Sequence, residues 1–201
     1  MDTKKSIDWK KEIPRIIQPD GTVVYDCDIF GGDNVNFKAM GDLHISGNIS
    51  VGDNFASGNI SLGGSGFFGD QADTGDINAV GNVAFGDQAD TGDIFAGGDV
   101  FGDVFFGDNA STCDINAVGN VSFGDSAKLG YINTGGNVSF GNHTSTGDID
   151  ADGSVSFGHC ALVYCIDAGS DVSFGDDAEV EKIVSKGSVS FGKSPRIGYF
   201  S

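Results

Sequence analysis

The sequence has almost no proline: 3 residues in 201, so that glycine and proline together make 36. That is below the level of low-complexity disorder. Basic residues are also few, 11 against 29 acidic ones, for a formal charge of −18. Such a chain repels phosphate backbones, which excludes DNA or RNA as an expected partner. No CxxC joins Cys27, Cys113, Cys160 and Cys165, which argues against a zinc ribbon or a dithiol redox motif. Reduced thiols are expected. No run of 18 apolar residues is present, so no membrane-spanning helix is expected. The charged start Met1-Asp2-Thr3-Lys4-Lys5 lacks the apolar core of a signal peptide, and the expected location is the cytoplasm.

What the chain does have is a repeat. GNVSF begins at Gly119 and again at Gly136, seventeen residues on. Aligned on the fifth position, the units carry Val51, Phe68, Phe85, Phe106, Phe123, Phe140, Phe157, Phe174 and Phe191. The spacing is seventeen except for twenty-one between Phe85 and Phe106, where Gly98-Asp99-Val100-Phe101 is inserted. A weaker unit holds Val35 and Phe37.

Within the unit from Gly136, three i, i+2 pairs are apolar or small: Val138/Phe140, Thr144/Thr146 and Ile149/Ala151. Residues two apart on a strand share a face. Three short strands with three corners then fill seventeen residues, one turn of a triangular coil. Gly-Asp and Gly-Asn doublets mark the corners, with glycine expected to supply positive φ and Asp or Asn to bond its own turn. Units of equal phase stack, each strand pairing in parallel with its equivalent one coil away. The fold class is all-β: a single-stranded parallel β-helix, or β-solenoid. About nine coils at ~4.8 Å make a rod roughly 40–45 Å long. A bulky Phe at one inward site per coil, and strand starts that depart from strict sixes, favour a right-handed coil.

Two regions are expected: a cap at 1–30 and the solenoid at 31–201. In the cap, Trp9, Ile13 and Ile16 would share one face of a short helix, and Thr22 to Tyr25 reads as a strand. At the other end, Tyr199 and Phe200 are expected to plug the last coil. Basic residues gather at both ends, including Lys4, Lys5, Lys10 and Lys11 at one and Lys182, Lys186, Lys193 and Arg196 at the other. Between Ile16 and Glu181 only Lys38 and Lys128 are basic. Like charge at both ends argues against head-to-tail joining.

Seventeen-residue coils with GD and GN turns resemble the bactofilin group of polymer-forming bacterial β-helices. Gly41–Asp53, GDLHISGNISVGD, is the most similar stretch, and the likeness covers about 31–193. It implies a structural protein that self-assembles. A weaker likeness to hexapeptide-repeat acyltransferases would imply a trimer with a histidine between subunits.

No Ser-His-Asp set with a nucleophile elbow is visible, and GGDVFGD lacks the spacing of a phosphate-binding loop. No catalytic residue and no cofactor is expected. Asp70, Asp87, Asp108 and Asp125 form a column at one corner. Turn formation is the expected role, with a row of Ca²⁺ sites as the alternative. His143, His159 and Cys160 fall near one corner but offer no clear third ligand. Phe67, Phe95, Phe101 and Phe105 are out of phase with the core and are the candidate interface. The function expected is a non-catalytic scaffold acting through homo-oligomers or a protein partner. An acidic mimic of DNA that inhibits a nucleic-acid-binding protein is the main alternative.

Overall fold

Apolar and polar residues alternate over only three positions before a corner intervenes, so the strands are short and must pair with distant chain. A computed structural model describes residues 15–37, 41–97 and 102–200. It is all-β in those residues, a β-solenoid of about ten turns. The coil repeat of seventeen residues sets the register: Val121, Ser122 and Phe123 pair in parallel with Val138, Ser139 and Phe140. Ile115 pairs in parallel with Ile132, which pairs with Ile149. Among the described residues the strands form one sheet of ten and one of fifteen. The ten-stranded sheet carries the Val-x-Phe strands. The larger sheet carries the Ile-x-Ala strands and the short strands around Thr91 and Thr112. In later coils these two ladders fuse into seven-residue strands, as in Ser145–Ala151 and Leu162–Ala168.

The interior is a set of columns. Ile77, Ile94, Ile115, Ile132, Ile149 and Ile183 are buried one above another, as are Ala72, Ala89, Ala110 and Ala127. A third column is phenylalanine. From Phe68 to Phe191 eight rings stack with centroids 4.7–5.4 Å apart and planes within 16° of parallel. That spacing is the strand-to-strand distance of a sheet, so the backbone dictates the stack. Towards the N-terminus Tyr25, Phe37 and Phe55 continue the aromatic column from other positions of the coil, with edge-on or tilted rings. At Phe68 the column moves onto the ten-stranded sheet. There glycine replaces valine at residue 66, because a Cβ would lie within 3.0 Å of the Phe68 ring and Leu62. Thr74, Thr91, Thr112 and Thr146 are buried, as the inward phase requires.

Parallel pairing starts at Val23–Tyr25, which pairs with Leu43–Ile45, and Ile29 pairs with Ile49. Both strands fall in the stretch expected to be cap. Ile16 and Ile17 pair antiparallel with Val24 and Val23 and cover that edge. Trp9 and Ile13 lie outside the described residues. At the other end, the strand Arg196–Phe200 pairs in register with Glu179, Val180, Lys182 and Ile183. The backbone of Tyr199 and Phe200 therefore extends the sheet by one rung.

One corner residue per coil adopts left-handed backbone. Ten residues, from Asn34 through Gln71, Ser126, His143 and Cys160 to Ser194, have φ between 55° and 61°. None is glycine. The glycine two positions earlier at that corner, from Gly32 to Gly192, has no positive φ, whereas Gly41 of the doublet Gly41-Asp42, at another corner, has φ 81°. At the left-handed corner the sequence-based reason for the glycines is thus corrected: they do not supply the turn's unusual backbone.

Candidate functional site

The corners are where the acidic residues converge, one rung per coil. At the Asp70 corner, the backbone N–H of each coil donates to the side chain one coil earlier. The N–H of Asp87 donates to Asp70 Oδ1, that of Asp108 to Asp87 Oδ1, and that of Asp125 to Asp108 Oδ1. Nine successive rungs, from Asp33 to Lys193, measure 2.6–3.1 Å. The role tolerates chemistry other than carboxylate. Asn142 accepts from His159 N–H, and His159 Nδ1 accepts from Asp176 N–H at 2.8 Å. That bond assigns the neutral histidine as the Nε2–H tautomer. Lys193 takes the last position of the row, and an ammonium cannot accept.

The other two corners repeat the device. Asp76 and Asp93 accept from the N–H groups of Asp93 and Asp114. That row ends at Tyr131, whose phenol is pushed up by burial and by Asp150, Asp148 and Asp114. At the third corner Asn82, Asp103 and Asn120 accept in the same way, and Ser65 does so through its hydroxyl. The corner Asp and Asn residues therefore bond the next coil's backbone, not their own turn as the sequence suggested. They also explain the glycines. A Cβ at Gly124 would lie within 3.0 Å of Asp108 Oδ1, the Asp108 nitrogen and the Gly107 carbonyl carbon.

Asp70, Asp87, Asp108 and Asp125 thus each commit one oxygen to a backbone N–H. No group of three or more His, Cys, Asp or Glu side chains is placed to hold a metal ion among the described residues. His159 is 3.9 Å from Asp176 Oδ2, and both are solvent-accessible. The four cysteines are free. Burial pushes the Cys165 thiol up, partly offset by Lys182. Shallow open grooves lie on the surface of the described residues. One, of about 560 Å³, runs beside Leu162, Tyr164, Glu179, Arg196 and Ile197. Another, of about 510 Å³, lies by His44, Ser61, Asn78 and Phe95.

The candidate interface residues do not form one patch. Phe67 and Phe105 share the outer face of the ten-stranded sheet, on strands Gly66–Phe68 and Val104–Phe106. Phe95 lies on the other sheet, between Asn78 and Asn116. Phe101 is outside the described residues. Phe30 joins Phe67 and Phe105 on their face and is the most exposed of the three, at 62%. Its signal in the sequence is the same outward phase, hidden because the strand Ile29–Phe30 pairs with residues twenty positions on, not seventeen.

No protein-family model, curated protein or solved structure matches the chain. What the structure shows is coarser, a β-solenoid of about ten turns with seventeen-residue spacing.

Proposed function

We propose that this protein is a non-catalytic scaffold, a short rigid rod that works by lateral association. The observation that supports it most is the aromatic column on the outer face of the ten-stranded sheet, where Phe67 and Phe105 stand 47% and 42% exposed. Large apolar side chains gathered on a regular sheet face mark a contact surface. The acidic columns, by contrast, are occupied in holding one coil to the next. A bactofilin-like protein would associate by stacking coils end to end. Here the antiparallel strand Ile16–Ile17 covers one sheet edge, and Lys193 interrupts the acceptor row. Both features favour side-by-side contact over continued stacking.

Negative-stain electron microscopy across protein and salt concentrations tests this. Short rods and small side-by-side groups are expected. Filaments that lengthen by end-to-end addition would replace the lateral reading with polymerisation of the bactofilin kind.

A further inference from the structure

Along the outer face of the ten-stranded sheet, one residue per coil points outward from the centre of each strand. The first six are Phe30, Ser50, Phe67, Ala84, Phe105 and Ser122, and pairing places each beside the next. Large and small alternate strictly. The three rings are 62%, 47% and 42% exposed. They stand two coils apart, ~9.6 Å, with a small residue between each pair. In a chain of charge −18, no charged residue occupies this outward position in any of the ten coils.

We infer that this face binds a second copy of the same chain, with the two rods antiparallel and the rings of one seated over the small residues of the other. This rests on the lateral-association reading and names its partner and register. A two-fold axis running along the strands, between the levels of Phe67 and Ala84, relates the six levels in reverse order. Phe67 then faces Ala84 of the second copy, Phe105 faces Ser50, and Phe30 faces Ser122. Every ring meets a small residue, and none meets a ring. A parallel pair in register would instead set each ring against its own equivalent.

The area suffices for a specific pair. Six coils at ~4.8 Å, across about five residue steps of ~3.3 Å, give ~480 Å² of planar face per copy and ~950 Å² in all. That is close to the ~1,000 Å² at which specific interfaces begin, before the relief of the exposed rings is counted. The same axis sets a sign for salt. It brings the corner row of Asp70 and Asp87 beside its own copy, across one sheet spacing of ~10 Å. Like charges at that distance repel at low salt and are screened at ~0.1 M. Association should therefore tighten as salt rises, the opposite of a contact with a basic protein.

Sedimentation equilibrium of the whole chain between ~0.02 M and ~0.3 M NaCl reads the sign directly. A dimer that strengthens with salt is expected. Phe67→Ser/Phe105→Ser should weaken it about 100-fold. Ala84→Phe separates seated rings from mere stickiness, because it adds apolar surface while filling the seat. Weaker association is expected, and stronger association overturns the register. With the native cysteines replaced by serine, a spin label at Ser156→Cys measures geometry. Its mate lies nine coil steps away in the antiparallel pair, ~43 Å. A separation of ~10–15 Å would mean a parallel pair, overturning this inference while leaving lateral association intact. A dimer unaffected by Phe67→Ser/Phe105→Ser would overturn both. A protein that stays monomeric to about 100 µM, weaker than specific interfaces of this size, overturns the pair.

Discussion

Phe123→Ala should cost about 3–5 kcal/mol, the upper range for removing a buried aromatic side chain. Phe123 lies inside the column, 4.7 Å from Phe106 and 5.4 Å from Phe140. Two ring contacts go at once. The cavity cannot collapse, because the walls are strands fixed at sheet spacing by their neighbours above and below. Phe123→Leu should recover roughly half of the loss, since it restores volume without the flat face. Chemical denaturation of the two variants checks this. The transition should also lose cooperativity, because a coil interacts only with its neighbours and a weak coil divides the rod. Equal stability for Phe123→Ala and wild type would mean that the column does not organise the core.

Gly124→Ala should destabilise by about 1–3 kcal/mol, although it adds a single methyl group. On an ordinary turn it would be neutral or stabilising, because alanine restricts the unfolded chain. Here the methyl group meets the Asp108 carboxylate and backbone of the preceding coil within 3.0 Å. The pair should show coupling. Asp108→Ala alone loses the bond from Asp125 N–H, 2.7 Å long, and should cost about 1–2 kcal/mol. Combined with Gly124→Ala it also removes the closest collision. The double variant should therefore lose less than the sum of the two singles. Equilibrium unfolding of the four proteins completes the cycle. Strict additivity would show that the glycine and the carboxylate are independent.

These two sites show what the sequence makes legible. The period of seventeen and the i, i+2 pairs identify strands, faces and stacking directly, because they record an inward column at fixed phase. The phase also marks Phe67 and Phe105 as outward. Three features escape. The corner glycines look like turn residues, yet their constraint comes from a carboxylate one coil earlier, as Asp108 is for Gly124. The left-handed corner position is held by glutamine, serine, histidine and cysteine as well as asparagine, so no residue type announces it. Phe30 and the first coil are masked by three residues that break the period. Grouping Phe95 with Phe67 failed for a different reason: outward phase says that a side chain leaves the core, but not from which sheet. Pairing settles that, by placing Phe95 beside Asn78 and Phe67 beside Ala84.

The acidic corners carry the main consequence for function. If their carboxylates are backbone acceptors, the amide of asparagine serves equally, as Asn142 already does. If they are ligands or a charged recognition surface, it does not. The direct test is thermal unfolding of a chain with Asp53, Asp70, Asp87, Asp108 and Asp125 all changed to asparagine, with and without Ca²⁺. The scaffold account predicts a melting temperature at or above that of the wild type, since the bonds persist and like-charge repulsion falls, and no response to Ca²⁺ in either protein. A fall of more than about 10 °C, roughly 3 kcal/mol for a chain of this size, or a Ca²⁺-dependent rise seen only in the wild type, would contradict it.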